Sequence, residues 1–120
     1  MSETPPEPDS QDPTADATLG GYFGVHDRPP AYEGSDGHPY TVSVEIEKTG
    51  DLTAPYAGYL VFPRWAQNGV GIVGHVETPT LASGISEQNV AAALGELPLL
   101  EVQQLLEAAI ERRQRDTEGT

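Results

Sequence analysis

The clearest pattern in the chain is a strict alternation of apolar and polar side chains from Tyr40 to Glu47. Because an extended strand sends successive side chains to opposite faces, this alternation predicts a β-strand with one buried face and one face in water. A second run, from Tyr56 to Trp65, is apolar on both faces, which is typical of a central strand. The two runs form the predicted middle of a sheet.

The dipeptide Asn68-Gly69 separates the second run from a third, Val70 to Val76. It tolerates positive φ and favours a two-residue hairpin turn. With that turn, the predicted register pairs Trp65 with Ile72, Phe62 with His75 and Val61 with Val76. A further strand is predicted from Tyr22 to His26, joined to the first by a loop over residues 28–39. The sequence therefore predicts a meander of three or four antiparallel strands.

The spacing of apolar residues changes to the helical period after Ile85. Ser86 is a good N-cap and Gly95 a good left-handed C-cap, so a short helix is predicted over residues 87–94. Pro98 suits the first turn of a second helix. The apolar stripe of that helix consists of Leu99, Val102, Leu105, Leu106, Ala109 and Ile110. A lone amphipathic helix and a lone meander each expose apolar surface, so we expect an α+β fold in which the two C-terminal helices pack on the sheet.

Composition divides the chain into one domain and two tails. Residues 1–20 are rich in acids and prolines and contain no basic residue. Such a segment buries too little apolar surface to offset backbone ordering, which costs about 1–2 kcal/mol per residue. We therefore expect a disordered acidic tail over residues 1–20, a single α+β domain over residues 21–115, and a disordered C-terminus over residues 116–120.

The charge balance excludes several classes of partner. The chain has 19 acidic against 6 basic residues and a net charge of -13 at pH 7. This charge repels nucleic-acid phosphates and anionic lipid headgroups, so neither nucleic acid nor a membrane is expected as a partner. An acidic surface also stays hydrated in molar salt, which is typical of adaptation to a halophilic cytoplasm. The chain has no cysteine, no signal-like N-terminus and no long apolar run, and these absences also favour a cytoplasmic protein.

Motifs for catalysis are weak. The glycines from Gly69 to Gly74 match the spacing of nucleotide-binding loops, but they lie within a predicted strand, where a bulge or relief of crowding explains them. A nucleophile elbow, a cysteine nucleophile and a zinc-protease helix are all missing from the sequence. We expect no catalytic residue and no cofactor. The first hypothesis is a non-enzymatic protein-interaction or regulatory module.

Aromatic residues cluster on the predicted central strand. If the helices cover one side of the sheet, some of these residues must lie on the uncovered side. Tyrosine, tryptophan and arginine are enriched in interface hot spots, so Tyr59, Arg64 and Trp65 are candidates for a surface that binds a protein partner or a second copy of the chain. Packing within the chain is the competing interpretation.

Three polar residues support a second hypothesis, a small enzyme or a metal- or ligand-binding protein. If the strand ending at His26 pairs with the one starting at Tyr40, then His26, Asp27 and His38 lie at the same end of the sheet. Two imidazoles and a carboxylate are a common ligand set for zinc and non-haem iron. The spacing matches no short metal signature, however, so an ordinary structural loop is the alternative.

Acidity also leads to a testable expectation about salt. If the composition is an adaptation to salt, the melting temperature rises between low and molar sodium chloride. The reason is screening, since the Debye length falls to roughly 3 Å at 1 M and repulsion between carboxylates weakens. Thermal denaturation followed by circular dichroism measures this shift, and a melting temperature that does not change with salt would contradict the interpretation.

Overall fold

An antiparallel sheet with helices on one face makes up residues 15–118, the part of the chain that the computed structural model describes. In chain order the elements are α1 (Leu19–His26), β1 (Ala31–Glu33), β2 (Pro39–Thr41), β3 (Ser43–Lys48), β4 (Tyr56–Trp65), β5 (Ile72–Glu77), β6 (Ala82–Gly84), α2 (Glu87–Gly95) and α3 (Leu99–Glu118). The fold is α+β, as predicted, and the two C-terminal helices are α2 and α3.

β4 is the central strand of a six-stranded sheet. β2 and β3 lie along one side of it, β5 and β6 lie along the other, and β1 extends the sheet beyond β2. The sheet is larger than the predicted meander of three or four strands. One reason is that β1 forms within the predicted loop of residues 28–39. The others are that the predicted strand from Tyr40 to Glu47 is divided at Val42 into β2 and β3, and that β6 lies beyond Val76, where the predicted third strand ended.

The break between β5 and β6 follows from Pro79, which has no backbone N–H to donate to a neighbouring strand. Thr78 replaces the lost pairing: its amide donates to the carbonyl of Leu60 at 2.9 Å, and its Oγ1 accepts from the Leu60 amide at 3.1 Å. The same hydroxyl donates to the Pro79 carbonyl at 2.8 Å. The amide of Leu81 then donates to the carbonyl of Gly58 at 2.8 Å, and the pairing with β4 resumes.

The predicted first strand, Tyr22 to His26, is wrong, because these residues belong to α1. Thr18 caps this helix, with its Oγ1 accepting from the Gly21 amide at 3.0 Å. The helix lies close against α2, where a Cβ on Gly20 would be 3.2 Å from the carbonyl oxygen of Gly95. Aromatic and β-branched residues favour a strand locally, but a helix this short depends on its tertiary contacts, and these select the helix.

Within the described residues, the first helix begins at Leu19 and the last helix ends at Glu118. Helical structure therefore starts inside the predicted tail of residues 1–20 and continues past residue 115, the predicted end of the domain. The disorder predicted for residues 1–14 and 119–120 lies outside the described residues.

The hairpin between β4 and β5 keeps one predicted pair, Trp65 with Ile72, and loses the other two. Val73 is an extra residue on β5, a β-bulge, and the register beyond it shifts by one. The observed pairs are Phe62 with Val76 and Val61 with Glu77. The turn is also longer than two residues, since the amide of Ala66 donates to the carbonyl of Gly71 at 2.9 Å.

The hydrophobic core lies between α3 and the sheet. Four of the six residues of the predicted α3 stripe are buried, each at most 3% exposed, namely Val102, Leu106, Ala109 and Ile110. The other two, Leu99 and Leu105, are half-buried. The sheet contributes Tyr40, Val42, Leu60, Phe62 and Val76. All of these strand residues lie on one face, so the helices bury that face alone.

α2 also begins as predicted, since Ser86 Oγ accepts from the Asn89 amide at 3.0 Å. It does not end as predicted. Gly95 is the last helical residue, and its C-cap is Glu96 in a right-handed conformation. Among the described helices none combines the length and the apolar character needed to cross a membrane.

Gly58 of β4 tests how closely α2 packs on the sheet. A Cβ there would lie 2.5 Å from Val90 Cγ1 and 2.8 Å from Leu94 Cδ1, both on buried side chains. We expect Gly58→Ala to lower the free energy of unfolding by about 1–3 kcal/mol, because overpacking forces these side chains to move. Urea denaturation measures the change. Gly50→Ala is the matched control, since a Cβ at Gly50 meets nothing within 4 Å, and an equal loss in both variants would contradict the explanation.

Candidate functional site

The second face of the sheet is covered by no helix of the described chain. Along β4, Leu60 and Phe62 point into the core, so the residues between and beside them point to the other side. We call this side the open face. The strand pairings place on it Ser43, Glu45, Glu47, Ala57, Tyr59, Val61, Pro63, Trp65, Ile72, His75, Glu77 and Ser83. None of these positions is a lysine or an arginine.

Tyr59 lies at the acidic end of the open face. Tyr59 pairs directly with Glu45 of β3. Val61, two residues further along β4, pairs with Glu77 of β5 on the other side. Burial raises the pKa of the Tyr59 phenol, and the negative charges of nearby glutamates raise it further. The glutamates are Glu45, Glu47 and Glu77. Glutamates from the two strands that flank β4 therefore lie near the same ring.

The candidate interaction residues are divided between the two faces. Tyr59 and Trp65 lie on the open face, and both are half-buried. The indole Nε1 of Trp65 donates to Thr41 Oγ1 at 3.1 Å, which holds the ring along the sheet. Arg64 lies on the covered side, where it pairs with Tyr40 across the strands. Tyr59 and Trp65 can therefore contact the same partner on this face, and Arg64 cannot join them there.

Arg64 instead belongs to a polar cluster at the end of the core, which we call the Asp36 network. Asp36 lies in the turn between β1 and β2. Its Oδ2 accepts from the Tyr40 hydroxyl at 2.7 Å and from Arg64 Nε at 3.0 Å, and its Oδ1 accepts from the His38 amide at 3.2 Å. The side chain of Asp36 is only 13% exposed, so this ion pair is shielded from water on the carboxylate side.

The protonation states of the Asp36 network are fixed at neutral pH. Burial raises the pKa of Asp36, but hydrogen bonds from Tyr40, the His38 amide and Arg64 outweigh it, so the pKa of Asp36 lies below its usual value. Burial and the Asp36 carboxylate raise the pKa of Tyr40 to about 12. At neutral pH the cluster therefore contains an ionised carboxylate paired with a guanidinium. General acid–base catalysis needs a group that titrates near the working pH.

A cavity of about 240 Å³ lies beside the Asp36 network. It is lined by Asp36, Tyr40, Arg64, Val76, Ile110, Arg113, Gln114 and Thr117. The C-terminal turns of α3 therefore form one wall of the cavity and the ends of the strands form the other.

An apolar groove of about 640 Å³ lies elsewhere, between α1, α2 and the start of β3. Phe23 of α1 lines it and is 51% exposed. None of the residues that line the groove is charged. The groove therefore gives no sign of the charge of a partner.

The predicted set of His26, Asp27 and His38 does not form a metal site. His26 Nε2 lies 2.9 Å from Asp16 Oδ2, and His38 Nδ1 lies 2.9 Å from the carbonyl of Trp65. Asp27 is the left-handed C-cap of α1, with φ of 56°. The set depended on a strand ending at His26, which is a helix instead. Within residues 15–118 no group of three or more histidine, aspartate or glutamate side chains could hold a metal ion.

Sequence reasoning missed the acidic members of the open face and the partner of Arg64. Glu45 and Glu47 could have been found, because they are the polar half of the alternation from Tyr40 to Glu47. The Asp36 network could not, because Asp36 and Arg64 lie 28 residues apart and nothing local relates them.

No protein-family model matches this chain, and no curated protein or solved structure shows significant similarity to it. The geometry of the open face and of the Asp36 network is therefore the basis on which a function can be proposed.

The Asp36 network leads to an expected pH dependence. The pKa of Asp36 is lower in the folded protein than in the unfolded chain, so its carboxylate contributes stability above a pH of about 4. This stability is lost as the pH falls through the folded pKa. We expect Asp36→Asn to lower the free energy of unfolding at neutral pH by about 1–3 kcal/mol, because Arg64 loses its charged acceptor. The variant should also lose less stability than the wild type on acidification.

Urea denaturation at several pH values measures both effects. Asp116→Asn is the control, since it removes the same charge from an exposed position near the end of α3. If Asp36→Asn and the wild type lose stability equally between neutral and acidic pH, the carboxylate of Asp36 is not the group responsible.

Proposed function

We propose that this protein is a non-enzymatic interaction module whose open face binds a basic segment of a partner protein. The observation that carries the proposal is the position of Tyr59, an aromatic side chain with Glu45, Glu47 and Glu77 around it on a sheet face that no described helix covers. An uncovered face of this kind is where a soluble domain can bind another protein.

Charge selects the partner. The carboxylates of the open face attract lysine and arginine side chains, and the net charge of -13 steers a cationic segment toward the protein from a distance. A second copy of the chain would bring like charges together, so self-association through this face is disfavoured. Nucleic acids and anionic lipids are repelled for the same reason.

The layout of the open face also describes the shape of the partner. Apolar and aromatic side chains run along β4, namely Tyr59, Val61, Pro63 and Trp65, while the glutamates lie on the strands to either side. A partner that fits places apolar side chains along β4 and basic ones at its flanks. Tyrosine and tryptophan are the residues that most often anchor such contacts, because they bury a large area and keep a polar tip.

The salt concentration determines which of these attractions remain strong. In molar salt, where the Debye length is roughly 3 Å, long-range steering is lost and only groups in contact still attract. A partner recognised in a salt-rich cytoplasm must therefore contact the aromatic strip and the glutamates together. The Asp36 network agrees with a binding role, since none of its groups is tuned for proton transfer.

A peptide-display library selected on the immobilised protein tests the proposal. We expect selected peptides to be enriched in lysine and arginine interspersed with apolar residues. A synthetic peptide of that kind should change the fluorescence of Trp65, the only tryptophan of the chain. The triple variant E45Q/E47Q/E77Q should weaken its binding by roughly tenfold, since exposed ion pairs contribute about 0.2–1 kcal/mol each.

The matched control is E96Q/E101Q/E111Q, which removes the same charge from exposed positions away from the open face, one at the C-cap of α2 and two on α3. It should bind the peptide almost as well as the wild type. If both triple variants lose affinity equally, binding reflects net charge alone and the open face is not the site. A selection without enrichment in basic residues would also contradict the proposal.

A further inference from the structure

We infer that the cavity beside the Asp36 network binds a small carboxylate with an apolar body. This site lies on the covered side of the sheet and is independent of the open face. It has two guanidinium groups, those of Arg64 and Arg113, in a chain with only 6 basic residues. Two cationic groups in one cavity favour an anionic ligand.

The orientation of Arg64 also suits a carboxylate ligand. Asp36 Oδ2 accepts from Arg64 Nε at 3.0 Å, so the carboxylate engages one side of the guanidinium, and Tyr40 also interacts with this group. The two terminal amino groups form a second edge, which can bind another carboxylate through two parallel hydrogen bonds. The side chain of Asp36 is only 13% exposed and also accepts from the Tyr40 hydroxyl, so Arg64 is positioned before any ligand arrives.

Arg113 is fixed from the opposite wall. Its Nη1 donates to the carbonyl of His75 at 2.7 Å, which anchors the end of this α3 side chain against β5. With Asp36 negative and the two arginines positive, the groups lining the cavity carry one net positive charge. The neighbouring groove adds Arg112 but also Glu77 and Asp116, so it does not extend the positive region.

The apolar lining of the cavity indicates the chemistry of the ligand beyond its carboxylate. Val76 and Ile110 line the cavity, together with the ring of Tyr40. Its volume of about 240 Å³ is below the roughly 300–1,000 Å³ of pockets for drug-sized ligands. A single net positive charge suits a monoanion, and apolar walls suit a short hydrocarbon or aromatic body. A small monocarboxylic acid satisfies all three conditions.

Benzoate is a suitable probe, and benzamide, of nearly the same shape but neutral, is its counterpart. We expect titration with benzoate to shift the nuclear magnetic resonance signals of Val76 and Ile110 in a saturable way, and benzamide to leave them unchanged. Arg113→Gln should weaken benzoate binding by roughly tenfold or more, the effect of losing one charge-assisted hydrogen bond. Arg113 is chosen because it is exposed, whereas replacing Arg64 would leave Asp36 without its ion-pair partner.

Arg115→Gln is the matched control. It removes the same charge from the same helix, but Arg115 is exposed and pairs with Glu111, outside the cavity. It should bind benzoate like the wild type. Saturable binding of benzamide, an equal loss in both arginine variants, or no saturable shift with benzoate would each overturn the inference. None of these outcomes depends on whether the open face binds a basic partner.

Discussion

Leu60 and Phe62 of β4 lie fully buried beneath the helices, and the rest of the molecule depends on this one-sided burial. Burying one such side chain contributes about 1.5–3 kcal/mol, so the orientation of β4 is strongly fixed. Since β4 pairs with strands on both sides, the same choice sets the face on which every neighbouring strand presents its polar residues. Because the helices cover one face of the sheet, the other face remains an exposed surface.

The elements read from the sequence are those with an uninterrupted local pattern. The alternation from Tyr40 to Glu47 and the helical stripe of α3 each depend on residues close together in the chain, so periodicity is enough to identify them. α1 is different. Its sequence favours a strand, and the helix exists because Gly20 can approach Gly95 and because the Leu19 amide donates to the carbonyl of Leu97 at 2.8 Å. Such long-range contacts have no local signature.

In the candidate sites, too, some features follow from local sequence patterns and others do not. Alternation along β4 was enough to send Tyr59 and Trp65 to one side and Arg64 to the other. The glycines from Gly69 to Gly74 allowed a bulge to be expected, but not its position at Val73, which determines that Glu77 rather than Val76 lies beside Val61. A slip of one residue would have buried a carboxylate and exposed a valine. The acidic character of the open face is thus set partly by a single extra residue in β5.

The charge of the chain acts differently over long and short distances. Far from the surface, the excess of acidic residues dominates and favours cationic partners. Close to the surface, individual groups decide, and the Asp36 network and Arg113 form a cavity whose lining is positive. Salt weakens the long-range interactions much more than the short-range ones. It screens the distant field, whereas partly buried pairs such as Asp36 and Arg64 are screened much less. One acidic chain can therefore combine an open face suited to the basic segment we propose and a cavity suited to the small anion we infer.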